Sequence, residues 1–202
     1  MVRYLIDPAN AITTVGILLS TIGLDFAVLG RPELAVAIVL WAMLADQLDG
    51  VVAKHTPNRS GDFAKMGKSL DGFADLLYGA AFPAVIVLKA SASYLSLFAA
   101  AGILVAGTVR LSYFNNFGLS KDGCFMGVPL SYDVPLLAIL FLVRPWLEVG
   151  AFIPILNASL LLLSALHVAP IRVPAPNNVM YAFIALYSIA ASVALVSWGA
   201  AR

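Results

Sequence analysis

Residues 46–54 read Asp46-Gln-Leu-Asp49-Gly50-Val-Val-Ala53-Lys54, and residues 67–75 read Gly67-Lys-Ser-Leu-Asp71-Gly-Phe-Ala-Asp75. An apolar segment, Glu33–Lys54, runs into the first block, and another, Leu70–Leu88, runs out of the second. Each is close to the ~20 residues that a bilayer-crossing helix needs. On helices, Asp46 and Asp49 (i, i+3) share one face, as do Asp71 and Asp75 (i, i+4). A carboxylate at a membrane border is costly without a partner, so its presence points to function. If the two faces meet, four anionic groups converge, and a divalent cation relieves their repulsion. A set of oxygen ligands points to Mg²⁺ or Mn²⁺ rather than zinc. Gly50, Ala53, Gly72 and Ala74 keep the surroundings small, leaving room for a bulky ligand or a second helix. Lys54 adds a cation one turn beyond Gly50, placed for a phosphate.

The rest of the chain fits this reading. Of 202 residues, 61% are hydrophobic and 11% charged, against roughly a quarter charged in a soluble domain. The expectation is an all-α polytopic transmembrane helix bundle, a single integral-membrane domain over residues 1–202. Six core spans are expected at Asn10–Leu29, Glu33–Lys54, Leu70–Leu88, Ser91–Phe114, Pro129–Val143 and Gly150–His167, with a seventh, C-terminal span at Val179–Trp198. Pro83 is placed to kink the third. The polar stretches His55–Lys68, Phe117–Val128 and Pro170–Asn178 read as loops. A net charge of +1 gives no electrostatic case for nucleic acid. One cysteine, Cys124, excludes an intrachain disulfide.

Charge placement orients the chain. With the N-terminus in the cytoplasm, Arg3, Lys54, Arg59, Lys65, Lys68, Arg110, Lys121 and Arg172 fall inside. Arg31, Lys89, Arg144 and Arg202 fall outside, in agreement with the positive-inside rule. The acids then lie at the cytoplasmic ends of spans two and three.

The acid stretch resembles the signature of the CDP-alcohol phosphatidyltransferases, Asp-x2-Asp-Gly-x2-Ala-Arg-x8-Gly-x3-Asp-x3-Asp. Asp46, Asp49, Gly50, Ala53, Gly67, Asp71 and Asp75 match it. Lys54 stands where the family usually has arginine, and twelve residues rather than eight separate it from Gly67. Softer resemblances to phosphatidylserine synthases follow in order: Pro8-Ala-Asn10-Ala-Ile-Thr13 at the first helix, Ser69 to Ala84, Arg110-Leu-Ser-Tyr-Phe-Asn115, Gly127-Val-Pro129, and Ala165 to Pro174. Tyr113 and Leu130-Ser-Tyr-Asp133 depart from that branch.

The resemblance implies a donor, CDP-diacylglycerol, whose β-phosphorus is attacked by an alcohol, best matched by the L-serine hydroxyl, with release of CMP. It implies a pair of Mg²⁺ or Mn²⁺ ions held by Asp46, Asp49, Asp71 and Asp75, with Asp75 also the general base. Asp46, Gly50, Ala53, Lys54 and Gly67 would serve the nucleotide and its phosphates. The carboxylate of serine needs a cation, for which Arg110 comes first and Lys121 and Arg172 follow. A homodimer is implied too. The nearest rivals use the same chemistry on glycerol phosphate, inositol phosphate or choline, or take an ether-lipid donor. A rival of another class is a divalent-cation transporter, but such sites lie near the bilayer midplane, whereas these acids cluster at one face.

Overall fold

The computed structural model describes residues 1–200; Arg202, counted above on the outer face, lies outside them. The all-α bundle is borne out. Helix α1 (Pro8–Val28) starts where the Asp7 carboxylate accepts from the Asn10 amide at 3.1 Å, with Pro8 in its first turn. The chain reverses at Gly30, whose φ of 77° favours glycine, and α2 (Pro32–His55) returns alongside α1. Lipid tails are as apolar as leucine, so apolarity alone does not hold these helices together. Close approach does: a Cβ on Gly16 would lie 3.3 Å from the Ala42 carbonyl oxygen, and one on Gly23 would collide with Val39.

The expected loop His55–Lys68 is shorter than its polarity suggested. Helix α3 (Gly61–Leu76) begins inside it, because Asp62, Lys65 and Lys68 sit exposed on a solvated helical turn. It continues through a π-helical turn, Leu77–Ala81, into α4 (Phe82–Ala90). Pro83 lacks an N–H to donate, and the widened turn just before it takes up the irregularity that a sharp kink would otherwise absorb.

Helix α5 (Tyr94–Phe117) is capped by the Ser93 hydroxyl and ends at Gly118, φ 67°. The two expected loops beyond it pair as strands β1 (Cys124–Met126) and β2 (Arg172–Pro174), antiparallel, with Phe125 opposite Val173. Between them lie α6 (Asp133–Val143) and α7 (Phe152–Val168), and α8 (Asn178–Ala200) follows.

Five helical stretches are long and apolar enough to cross a membrane: α1, α2, α3 with α4, α5 and α8. The expected fifth and sixth spans are shorter. The 11 residues of α6 rise only ~17 Å, against ~30 Å of hydrocarbon. The core gathers Val36, Val39, Leu40 and Met43 of α2, Phe82 and Ile86, Ile103, Leu137 and Leu160. Phe183, Leu186 and Val193 of α8 point outward, as lipid-facing residues do.

Candidate active site

The last turns of α2 and the last turns of α3 meet at their acidic faces. Asp46, Asp49 and Asp71 each present a carboxylate oxygen within 4.8 Å of the other two. Asp49 is buried, and the Thr13 hydroxyl of α1 donates to it. Asp75, one turn past Asp71, lies on the far side of the Tyr78 hydroxyl. That hydroxyl is 2.6 Å from Asp75 Oδ1 and 2.8 Å from Asp46 Oδ2. Tyr78 sits in the π-helical turn and is itself buried. Sequence reasoning passed over it as one more apolar residue; its place three residues after Asp75 was the available signal.

Asp46 Oδ1 is buried and has no hydrogen-bond partner among the described residues. Three carboxylates gathered this closely, one of them with a buried oxygen that lacks a partner, fit a hard divalent cation. The donors are all oxygen, which suits Mg²⁺ or Mn²⁺.

The neighbours divide into open and packed positions. Gly50 is exposed, with nothing within 4 Å of where a Cβ would be, and Ala53 and Lys54 lie on the same open stretch. Gly67 is the reverse. It is buried, and a Cβ there would lie 2.5 Å from Asn10 Oδ1 and 2.6 Å from an Arg59 nitrogen. We therefore expect Gly50→Ala to leave thermal unfolding unchanged, so that any lost activity reports crowding of the substrate. Gly67→Ala is expected to cost about 1–3 kcal/mol by overpacking, measured as a lowered melting temperature.

Arg59 is no solvated loop residue. Its guanidinium grips both Asp7 oxygens at 3.1 and 2.9 Å and donates to Asn10 Oδ1 at 2.7 Å. Burial pushes the Asp7 carboxyl up, but Arg59 and the Asn10 amide outweigh it and hold it below its ordinary range. Asn10 also donates to the Phe63 carbonyl. This network fastens the start of α1, which carries Thr13, to α3, which carries Asp71 and Asp75.

Of the three cations expected to meet an acceptor, one reaches the acids. Arg110 of α5 is buried, within electrostatic reach of Asp75 and Tyr78, and flanked by the rings of Phe114 and Phe125 at 5.7 and 5.5 Å. Its Nε has no hydrogen-bond partner among the described residues. Arg172 is instead paired with Asp122 at 2.6 Å on an exposed surface, and Lys121 is exposed in the adjoining turn. Sequence reasoning also missed a buried pair behind Arg110. His167 Nε2 lies 2.9 Å from Asp133 Oδ2, with both side chains fully buried.

Comparison with known proteins adds three matches. A family model described as CDP-alcohol phosphatidyltransferase matches residues 7–200. An archaetidylserine synthase of Methanothermobacter thermautotrophicus is 28% identical over 141 residues, covering 68% of this chain and 59% of that protein. A phosphatidylcholine synthase of Pseudomonas aeruginosa is 28% identical over 189 residues, covering 89% of this chain and 76% of that protein. The chain thus spans less than two thirds of the archaeal relative it matches.

Proposed function

The chain belongs to the CDP-alcohol phosphatidyltransferase family, and from that premise we propose that it transfers a phosphatidyl group from CDP-diacylglycerol to L-serine, forming phosphatidylserine and releasing CMP. The observation that carries the reading is the convergence of Asp46, Asp49 and Asp71 within 4.8 Å, with Asp75 joined to Asp46 through Tyr78. Asp46, Asp49, Asp71 and Asp75 would hold Mg²⁺ or Mn²⁺, which when bound neutralises diphosphate charge.

The chain's own residues do the remainder. The open face at Gly50 and Ala53 admits the cytidine, and Lys54 meets a phosphate as a point charge. Asp75 takes the proton of the serine hydroxyl as that oxygen bonds to the β-phosphorus. The bond from the β-phosphorus to the oxygen bridging the two phosphorus atoms breaks, and CMP leaves with that oxygen. Tyr78 holds Asp75 in place. The charge pattern supports a cytoplasmic setting for this face, where nucleotide and serine are supplied, and the family resemblance implies a homodimer.

Arg110 favours serine among the acceptors. Among the described residues it is the one cation brought to the acids from the α5 side, which suits a single carboxylate. A phosphate-bearing alcohol calls for clustered cations, and choline, a cation without a carboxylate, would be repelled. The name of the archaeal relative agrees with serine; the name of the Pseudomonas relative keeps choline as the second reading. Arg110→Gln is expected to raise the KM for serine about ten- to a hundredfold, the worth of one charged hydrogen bond, and to leave the KM for the lipid donor nearly unchanged. A serine KM unmoved by Arg110→Gln would overturn the assignment.

A further inference from the structure

The opposite end of the bundle holds a cavity of about 910 Å³ that the transfer chemistry does not use. It lies between the last turns of α1, α4 and α6 and the first turns of α2 and α7, and its wall carries Arg31, Lys89, Arg144 and Glu33. Glu33 and Asp46 are thirteen residues apart on α2, so the cavity and the acids are separated by roughly 20 Å.

The charges are unevenly matched. Arg144 donates to Glu33 Oε1 at 3.3 Å and lies 5.0 Å from the Phe152 ring. Glu33 is nearly buried, so its charge is committed inside the wall. Arg31 and Lys89 are exposed and make no ion pair among the described residues. The chain has 12 basic residues, and its charge pattern leaves only Arg31, Lys89, Arg144 and Arg202 on this face. Three of those four line one cavity. Basic residues scattered at random on a face that disfavours them would not converge in this way. The remaining wall is apolar, including Ile86 and Phe141. A free anion could use the cations alone, whereas a lipid uses the cations for its headgroup and the apolar wall for its chains.

We propose that this cavity binds the phosphate headgroup of an anionic phospholipid from the leaflet opposite the acids. Arg31 and Lys89 supply the unmatched charge, and Arg144, fixed by Glu33, closes the third side. The site is independent of the acceptor and of the metal.

The test uses the full chain, purified and delipidated in detergent. Phosphatidylglycerol, phosphatidylcholine or inorganic phosphate is added separately, and melting temperature and bound lipid by native mass spectrometry are recorded. Phosphatidylglycerol is expected to raise the melting temperature and to be retained; phosphatidylcholine and inorganic phosphate are not. In Arg31→Gln/Lys89→Gln the apparent affinity for phosphatidylglycerol should fall about twenty-five-fold, taking roughly fivefold for each removed interfacial cation, with CMP release unchanged. An equal response to phosphatidylcholine, the whole response reproduced by inorganic phosphate, or an undiminished response in the double variant would each overturn the proposal. If the double variant does not fold, Lys89→Gln alone, at an exposed position, is expected to give the fivefold loss, and an unchanged affinity in it counts against the site.

Discussion

Asp75→Asn is expected to lower kcat for phosphatidyl transfer about a thousandfold, within the 10²–10⁴ typical of a lost general base. The substitution keeps most of the site. Asparagine has the same size and shape, and its carbonyl oxygen still accepts a hydrogen bond from Tyr78, whose hydroxyl lies 2.6 Å from Asp75 Oδ1. The three carboxylates that meet within 4.8 Å are Asp46, Asp49 and Asp71, so that group survives. One of the four carboxylates proposed to hold the metal becomes a neutral amide, whose oxygen can still ligate, and the capacity to take a proton is lost outright. The KM for donor and acceptor should therefore move far less than kcat, the pattern of an interaction made in the transition state. Steady-state kinetics of CMP release in detergent measures both. A kcat within threefold of the unsubstituted protein would remove Asp75 from the role of base.

His167→Ala is expected to be the most destabilising of the single substitutions discussed here, costing about 3–5 kcal/mol. His167 Nδ1 lies 2.8 Å from the Val128 carbonyl oxygen, which can only accept, so Nδ1 carries a hydrogen. Nε2 faces Asp133 Oδ2 at 2.9 Å, and neither side chain has any exposed surface. A proton held between them makes the contact attractive, whichever partner carries it. Removing the imidazole leaves Asp133 buried without a partner and frees the Val128 carbonyl. It also loosens the seam where Gly127, φ 74°, packs directly on the His167 backbone carbonyl. Replacing both partners by leucine should recover much of the loss, because an apolar pair needs no proton. Thermal unfolding of His167→Leu, Asp133→Leu and the double variant forms the cycle. A double variant as unstable as His167→Ala would show that the pair is not what holds the seam.

The local part of this site was legible in the sequence. Asp46 with Asp49, and Asp71 with Asp75, follow helical spacing, and an apolar flank of membrane length says where each helix runs. What escaped was tertiary or lay against composition. Lys65 and Lys68 read as loop because solvated helical turns and loops share a polar composition; only the packing of α3 against α1 and α5 distinguishes them. Tyr78 looked like core until a π-helical turn aimed its hydroxyl between two carboxylates. Asp133 and His167 are 34 residues apart, with nothing in either neighbourhood to announce the other. The three-residue strands β1 and β2 carry too short a pattern to read, and their pairing places Asp122 within reach of Arg172, which removes Arg172 from the acceptor side. Gly67 enters the nucleotide set by resemblance alone, and a signature records residue type and not its neighbours, which here are Asn10 and Arg59.

The most direct test of the central claim is CMP release by the purified protein given CDP-diacylglycerol and Mn²⁺ or Mg²⁺, with candidate alcohols added one at a time. Release is expected with L-serine and not with choline, and it should be lost on chelation of the metal and in Asp49→Asn. No release with any alcohol, beside passage of divalent cations into liposomes carrying the protein, would contradict that claim.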